Sequence, residues 1–283
     1  MEAGNIVSIW PVLVTPLKGG IDKRSLVNLT RWLCGYPIGG LWVLGTGSED
    51  HHLTLAQRIA VADTVCHVAT KPVVLGSSFY SLTETFRFLA ETAHLGKPYH
   101  WTPYHQLASE RQLLTQFEKV RDRAQNPVWA YTSANWSQHV DPWKWKSLGA
   151  AGLKFSSRNE THIREALELD SDDFPVMTAV AAQTHRCRHL GSKRHTSSIA
   201  SAVPELSLAA WNSSQGQETL NRLLSAFGPK RDNFVSAAEE KAILIHRGVI
   251  ASDEVTPGYS SCTDEERAKV IGAYEAVSLE TAA

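Results

Sequence analysis

The stretches PVWAY at residues 127–131 and AGLKF at residues 151–155 flank a helical pattern at residues 142–148. An apolar run, a helix-period segment and a second apolar run are typical of two parallel β-strands joined by a helix. The same alternation recurs along the chain, with further apolar runs at residues 6–15, 41–45, 72–76, 99–102, 174–179 and 196–199. Eight such strands within about 200 residues predict an α/β protein of the (β/α)8 TIM barrel type rather than an open sheet.

The chain of 283 residues is long enough for one barrel and a shorter extension. Three more helical patterns follow the eighth apolar run, at residues 217–227, 235–246 and 264–276. We therefore predict a (β/α)8 barrel over residues 1–208. We expect residues 209–283 to form a C-terminal extension of three helices that packs on the barrel.

The charge and cysteine content of the chain exclude several classes of protein. The formal net charge is −1 at pH 7, so we expect neither a nucleic acid nor a membrane as partner. The apolar run near the N-terminus lacks a basic flank and is too short to span a bilayer, which predicts a cytoplasmic location. The four cysteines have no CxxC spacing, and no glycine-rich phosphate loop follows the first strand. We therefore expect neither a metal ion nor a cofactor.

Lys154 is the most informative single residue, because it interrupts an otherwise apolar strand. Burial of a lysine is costly unless its amine is paired or neutral, and a buried amine loses its proton more readily. An unprotonated amine can attack a carbonyl carbon. The alternative is a lysine at the strand end whose ammonium group reaches solvent. Catalytic groups of TIM barrels lie at the C-terminal ends of strands, so the position of Lys154 in strand six favours the first interpretation.

Two other segments could assist such an amine. Tyr131 ends strand five, where its phenol could relay protons to a substrate oxygen; the alternative is a core tyrosine bonded to the backbone. Thr46, Gly47 and Ser48 follow strand two and offer backbone N–H groups with two hydroxyls, a combination that suits a carboxylate. An ordinary turn between a strand and a helix is the alternative there.

The chain resembles the dihydrodipicolinate synthase / N-acetylneuraminate lyase family of class I, Schiff-base aldolases over most of its length. GLWVLGTGSED at residues 40–50 is similar to the GTTGE segment of the family, and TPYHQL at residues 102–107 is similar to its PYY stretch. VWAYTS at residues 128–133 resembles the YNxP strand, and GLKFSS at residues 152–157 resembles the lysine motif. The resemblance implies the TIM barrel fold and an enzyme of the lyase class.

The resemblance also implies roles for individual residues. Lys154 would form an imine with a pyruvate-like 2-oxo acid, and Tyr131 would be the proton relay. The carboxylate of the substrate would bind at Thr46, Gly47 and Ser48. A homotetramer or homodimer is implied as well. The other residues that we expect to contact substrate follow or belong to strands four, five and eight, and they are Tyr104, His105, Trp136 and Thr196.

Several positions depart from the family pattern. His105 replaces the second tyrosine of PYY, which in the synthase completes a proton relay between subunits. Trp136, five residues after Tyr131, stands where the synthase has an arginine for the carboxylate of its aldehyde. These changes predict an acceptor other than aspartate semialdehyde, with aromatic or bulky apolar character. Three further tryptophans are candidates for the same pocket: Trp101, Trp129 and Trp211.

The segments around strands seven and eight are rich in basic residues, namely Arg186, Arg188, Lys193, Arg194 and His195. This corner of many TIM barrels binds phosphate, so an anionic group on the substrate is one interpretation. A solvated face or a contact between subunits is an equally good one. Cys187 lies among these residues, whose positive charge could lower the pKa of its thiol and make it a minor candidate nucleophile.

The leading prediction is a lyase or aldolase that condenses or cleaves a 2-oxo acid at Lys154, with an aldehyde-type second substrate. One alternative is a dehydratase or hydrolase of the same fold that uses the same imine. The other is a catalytically inactive homologue that binds a small molecule. The altered loop at residues 45–49 and the absence of a proline after Tyr131 favour the last alternative.

Overall fold

The computed structural model describes residues 8–103, 108–133, 140–227 and 237–282. The strands within these ranges are β1 (Ser8–Pro11), β2 (Leu41–Val43), β3 (Val73–Gly76), β4 (Tyr99–Trp101), β5 (Val128–Ser133), β6 (Leu153–Ser156), β7 (Val176–Ala179) and β8 (Arg194–Ser197). They pair in parallel in the order β1-β8-β7-β6-β5-β4-β3-β2. Val12 and Trp42 bridge β1 and β2, and the Leu13 N–H donates to the Trp42 carbonyl at 2.9 Å. The predicted (β/α)8 barrel is thereby confirmed.

Helices connect the strands on the outside of the barrel. They are α1 (Lys23–Cys34), α2 (Leu55–Val68), α3 (Leu82–Thr92), α4 (Glu110–Arg123), α5 (Pro142–Ser147), α6 (Glu160–Leu167), α7 (Thr184–His189) and α8 (Pro204–Asn212). Several of these helices are capped by the side chain of the residue that precedes them. For example, the Thr54 hydroxyl accepts a hydrogen bond from the Gln57 N–H at the start of α2. Beyond the barrel lie α9 (Ser214–Ala226), α10 (Ala237–His246) and α11 (Asp264–Ala282).

The last strand and the last helix of the barrel differ from the prediction in two respects. Strand β8 begins at Arg194, two residues before the apolar run that indicated it. Helix α8 is the second difference, since the sequence analysis places no helix between residues 199 and 217, and a proline such as Pro204 commonly ends an element. Pro204 instead occupies the first turn of α8, where its missing N–H costs no hydrogen bond. The predicted domain boundary after residue 208 falls inside this helix, and the division into two units stays a prediction.

Two separate apolar clusters show which side chains face the barrel interior. Successive residues of a strand point to opposite faces. Leu41, Val43 and their equivalents on the other strands pack beneath the helices in the larger, outer cluster. The smaller, inner cluster fills the barrel itself and consists of Val12, Trp42, Val74, Trp129 and Met177. Two of its five side chains are indoles, so aromatic rings occupy much of the interior.

The C-terminal helices are attached to the barrel by polar contacts as well as by packing. Lys241 of α10 forms an ion pair with Glu49, which follows β2, and both side chains are fully buried. The Arg247 guanidinium donates to the Ala202 carbonyl at 2.8 Å and to the Glu205 carboxylate at 2.6 Å.

Among the described residues, no helix is both long and apolar enough to cross a membrane.

Candidate active site

Lys154 lies inside the barrel near the C-terminal end of β6. Its neighbours Leu153 and Phe155 belong to the outer cluster, so alternation directs the Lys154 side chain inward. The residue is only 6% exposed. The ammonium group therefore does not reach solvent in the manner of an ordinary strand-end lysine.

Burial changes the acidity of this lysine. Removal of the amine from water lowers the pKa of Lys154 to about 7, and the Asp50 carboxylate partly opposes this effect by favouring the ammonium form. An ordinary lysine has a pKa near 10.4 and is almost entirely protonated at neutral pH. At pH 7 the amine of Lys154 is therefore present in substantial amount as the free nucleophile.

Tyr131 is the direct neighbour of Lys154. The two residues are paired in register on β5 and β6, and the Lys154 Nζ lies 4.2 Å from the centre of the Tyr131 ring. Tyr131 is buried and, like Lys154, points into the barrel, because Ala130 beside it belongs to the outer cluster. The structure thus brings the predicted nucleophile and the predicted proton relay together.

Thr46, Gly47 and Ser48 form a single 3-10 turn after β2. The Thr46 hydroxyl is buried and has no hydrogen-bond partner among the described residues. The Ser48 hydroxyl, in contrast, accepts the Gly45 N–H at 3.2 Å and so stabilises the turn itself. A Cβ at Gly47 would lie 3.0 Å from the Ser198 Cβ, so this close approach favours glycine. Thr46 is therefore the side chain of this turn that is available to a ligand.

The remaining predicted contact residues divide into two groups. Thr196 lies on β8, buried, with a hydroxyl that has no partner in the described part of the chain. The turn of Gly47 packs against Ser198, so the segments that follow β2 and β8 adjoin. The other three predicted residues lie outside the described residues: Tyr104, His105 and Trp136.

Trp42 and His100 belong to the site although the sequence analysis did not select them. The Lys154 Nζ lies 5.1 Å from the centre of the Trp42 ring, and the His100 ring stacks on Trp42 at 4.3 Å and 19°. Burial lowers the pKa of His100 to about 3, so its imidazole is neutral. His100 was detectable by the rule that identified Lys154, since it is a polar residue between two apolar neighbours of a strand. An apolar residue such as Trp42 carries no comparable signal.

A buried ion pair lies beside the turn of Thr46. The Asp50 carboxylate contacts the Arg58 guanidinium at 2.5 Å, and the Arg58 Nε donates to the Asp50 carbonyl at 3.0 Å. Arg58 also donates to the Ser78 carbonyl and stacks 3.9 Å from the centre of the Phe79 ring. These contacts hold a carboxylate close enough to influence the pKa of Lys154.

The basic residues near β7 and β8 do not converge on the site. Arg186 pairs with Glu160 at 2.5 Å, while Lys193 and Arg194 pair with Asp170 at 3.3 and 3.0 Å. Arg194 begins β8, so it lies at the N-terminal end of the barrel, opposite to the end of β6. The geometry favours the second interpretation of this cluster, a partly solvated face.

Two residues of the same region are structural rather than reactive. His195 lies within β8 and points outward, with its ring nitrogens 2.9 Å from the Thr178 hydroxyl and 3.1 Å from the Thr184 hydroxyl. Cys187 is fully buried, and burial raises the pKa of its thiol to about 11. The suggestion that neighbouring positive charge activates Cys187 is wrong, because desolvation outweighs that charge.

The aromatic residues expected at an acceptor pocket are mostly elsewhere. Trp101 belongs to the outer cluster. Trp211, a residue of α8, packs against Ile9 and Ala200. Trp129 does face the interior, but it lies two residues before Tyr131 and hence one layer further from the C-terminal end. Within the described residues, no group of three or more His, Cys, Asp or Glu side chains could hold a metal ion.

No family model matches the chain. It is 30% identical over 126 residues to a 4-hydroxy-tetrahydrodipicolinate synthase of Ruegeria pomeroyi, a match that covers 43% of each protein. It is 26% identical over 214 residues to the putative 2-dehydro-3-deoxy-D-gluconate aldolase YagE of Escherichia coli, covering 68% of this chain and 69% of the relative. The chain thus spans less than half the length of the first relative.

Solved structures extend the similarity to the whole fold. A dihydrodipicolinate synthase from Bacteroides thetaiotaomicron superposes with a TM-score of 0.86 at 22% identity, covering 98% of this chain and 100% of the other. A sialic acid aldolase of Ruminococcus gnavus superposes with a TM-score of 0.85 at 17% identity, covering 96% and 97%. These matches confirm the (β/α)8 barrel that the sequence predicts. The similarity to the family itself is carried by the curated relatives.

Proposed function

We propose that this chain, a divergent relative of the dihydrodipicolinate synthase / N-acetylneuraminate lyase family, is a Schiff-base-forming lyase or aldolase that acts on a 2-oxo acid through Lys154. The observation that carries the proposal is the Lys154 amine, buried in the barrel against the Tyr131 ring. Lysine is the residue type that forms imines with carbonyl substrates, and desolvation is one way in which proteins activate it.

The proposed reaction needs only the groups at this site. The free amine attacks the carbonyl carbon of the 2-oxo acid, and the carbonyl oxygen leaves as water to give a protonated imine. Loss of a proton from the adjacent carbon yields an enamine, which forms a C–C bond to the carbonyl carbon of an aldehyde; water then releases the product. The reverse sequence cleaves the bond. The Tyr131 phenol carries protons in these steps, and no cofactor is required.

The carboxylate of the 2-oxo acid would bind at the turn of Thr46. Its hydroxyl is buried without a partner among the described residues, and an unsatisfied buried hydroxyl gains most from a charged acceptor. The Thr196 hydroxyl, unpartnered in the same sense, is available to a second polar group of the substrate. Thr46 neighbours Gly47 and Thr196 lies two residues before Ser198, so both hydroxyls belong to the region where the segments after β2 and β8 adjoin.

The second substrate would be an aldehyde without the carboxylate of aspartate semialdehyde, of aromatic or bulky apolar character. Trp136 stands in the sequence where the resemblance leads one to expect an arginine. The basic side chains Arg186, Lys193 and Arg194 do not converge on the site and are paired with carboxylates of the chain itself, so they do not replace the missing arginine. A homotetramer or homodimer is the assembly that we expect.

Reductive trapping tests the proposed function. The protein is treated with pyruvate and borohydride, and its mass is measured intact and after digestion. We expect one pyruvate-derived adduct on Lys154 and none in Lys154→Arg. The matched control is Lys144→Arg, which alters a partly exposed lysine paired with Glu110 and should leave the adduct unchanged.

The possible outcomes separate the alternatives. An adduct that persists in Lys154→Arg contradicts the proposal, as does failure to form an adduct with any of a panel of 2-oxo acids. The latter result would favour an inactive homologue that binds a small molecule. An adduct without formation or cleavage of a C–C bond in a panel of aldehydes would favour the dehydratase or hydrolase.

A further inference from the structure

We propose that Trp42 is a positioning residue for the proposed reaction. Its indole excludes water from the side of the Lys154 amine that faces the barrel interior, and it holds the amine against Tyr131. This inference deepens the proposed function and rests on it for its biological meaning. Its physical content concerns the free protein alone, so it can be tested without substrate.

The first argument is the position of the amine between two rings. The Lys154 Nζ lies 4.2 Å from the centre of the Tyr131 ring and 5.1 Å from the centre of the Trp42 ring. Tyr131 is on the strand adjacent to Lys154, whereas β2 is separated from β5 by β3 and β4. Trp42 therefore reaches the amine across the barrel interior and not from a strand adjacent to β6.

The second argument is the rigidity of the indole. Trp42 is fully buried, stacks on His100 at 4.3 Å and meets the Trp129 ring edge-on at 6.0 Å and 79°. A Cβ at Gly45 would lie 3.1 Å from the Trp42 Cδ1, so the chain also crowds the ring from the turn after β2. A ring held in this way excludes water permanently from the volume that it fills.

The third argument is the balance of charge around the amine. Asp50 favours the ammonium form from the turn after β2, and Arg58 of α2 neutralises part of that effect through their ion pair. His100 on β4 and the outward-facing His195 on β8 are neutral, because burial lowers the pKa of each to about 3. The Tyr131 phenol faces the amine from β5. With so little net charge nearby, exclusion of water is the main influence on the amine.

Removal of the ring therefore has a predictable direction. A cavity beside the amine admits water and stabilises the ammonium, which raises the pKa of Lys154. Loss of the attraction between ring and ammonium acts in the opposite sense and lowers that pKa. The sign of the change distinguishes a barrier to water from a mere cation partner.

The test is an NMR titration of protein labelled at the lysine ε-carbons, with the Lys154 signal assigned by its loss in Lys154→Arg. We expect a midpoint near pH 7 in the unaltered protein. In Trp42→Ala the midpoint should rise by about one unit or more, and in Trp42→Phe by about half a unit or less. The matched control is Trp101→Ala, which removes the same buried side chain from the outer cluster and should leave the midpoint within about 0.3 units.

Three results would overturn the inference: a lowered midpoint in Trp42→Ala, an unchanged one, or an equal rise in Trp101→Ala. If Trp42→Ala does not fold, Trp42→Leu and Trp101→Leu provide the same comparison with smaller cavities. The titration needs no pyruvate. A protein that titrates as expected but traps no 2-oxo acid would refute the proposed function and leave the role of Trp42 intact.

Discussion

Burial of the Lys154 amine sets the pH range in which this residue can react as a nucleophile. Its pKa is lowered to about 7 by desolvation. The nucleophile is the free amine, so the rate of imine formation should rise as the pH passes through 7 and then level off. At pH 6 we expect roughly one tenth of the plateau rate, since one unit below the pKa leaves about one amine in ten unprotonated. Stopped-time borohydride trapping between pH 5 and 9 measures this; a rate still rising at pH 9 would contradict it.

The phenol of Tyr131 can be separated from its ring by a single substitution. Tyr131→Phe keeps the ring beside the Lys154 Nζ and removes only the hydroxyl. We expect the pyruvate adduct to form at Lys154, while turnover with an aldehyde falls by about 10²- to 10⁴-fold, the usual contribution of a proton-transfer group. The matched control is Tyr99→Phe, which removes a buried phenol from the outer cluster and should leave turnover unchanged. Equal rates in all three proteins would exclude Tyr131 from proton transfer.

The Thr46 hydroxyl provides a third test. Thr46→Val preserves the shape of the side chain and removes the unpartnered hydroxyl. Loss of a hydrogen bond to a carboxylate is worth about 1.5–3 kcal/mol, so KM for the 2-oxo acid should rise by about 10- to 100-fold. Thr46→Ser should restore most of the affinity. If steady-state kinetics show no change in Thr46→Val, the carboxylate binds elsewhere.

At the level of elements, the turn after β2 is tied to α10 by the buried pair of Glu49 and Lys241. Glu49 adopts φ 60°, a left-handed conformation, and its carboxylate also accepts the Thr256 N–H at 2.6 Å. The turn that carries Thr46 is therefore held by the C-terminal helices. This contact provides a physical link between the extension and the candidate site.

Disruption of the pair should be costly. Lys241→Met leaves the Glu49 carboxylate buried without its cation, a change that typically destabilises a protein by about 3–5 kcal/mol. The control is Arg87→Ala, which breaks the exposed pair with Glu84 and should cost under about 1 kcal/mol. Urea unfolding measures both free energies, and similar small losses in the two variants would show that the buried pair contributes little.

The strands of this protein are easier to predict from the sequence than one of its helices. Each of the eight apolar runs overlaps a strand, because burial on both faces makes parallel strands continuously apolar. Helix α8 was missed, although Pro204 is as compatible with a helix start as with a loop. The start of β8 was displaced because Arg194 and His195 are polar; one pairs with Asp170 and the other is bonded to two threonine hydroxyls. These partners are distant in sequence, so local patterns could not reveal them.

For the whole molecule, we expect barrel and extension to unfold together. Lys241 pairs with Glu49, Arg247 with Glu205, and the Gly19 N–H donates to the Glu254 carboxylate at 2.7 Å. Contacts from both ends of the chain thus join residues on either side of position 208. Calorimetry should give one transition, with agreement between calorimetric and van't Hoff enthalpies. Two resolved transitions would instead support separate domains at residues 1–208 and 209–283.

The number and order of the strands, the barrel and the unusual position of Lys154 are all predictable from the amino-acid sequence. These features depend on local periodicity and on the cost of a lysine in an apolar strand, both of which are visible in one stretch of chain. The groups that surround the amine, in contrast, are set by the folding of the whole barrel. Closure of the barrel brings Trp42 of β2 across the interior to Lys154 of β6, and it places Arg194 at the opposite end. Such neighbours depend on strand tilt and register, which arise when the whole sheet closes.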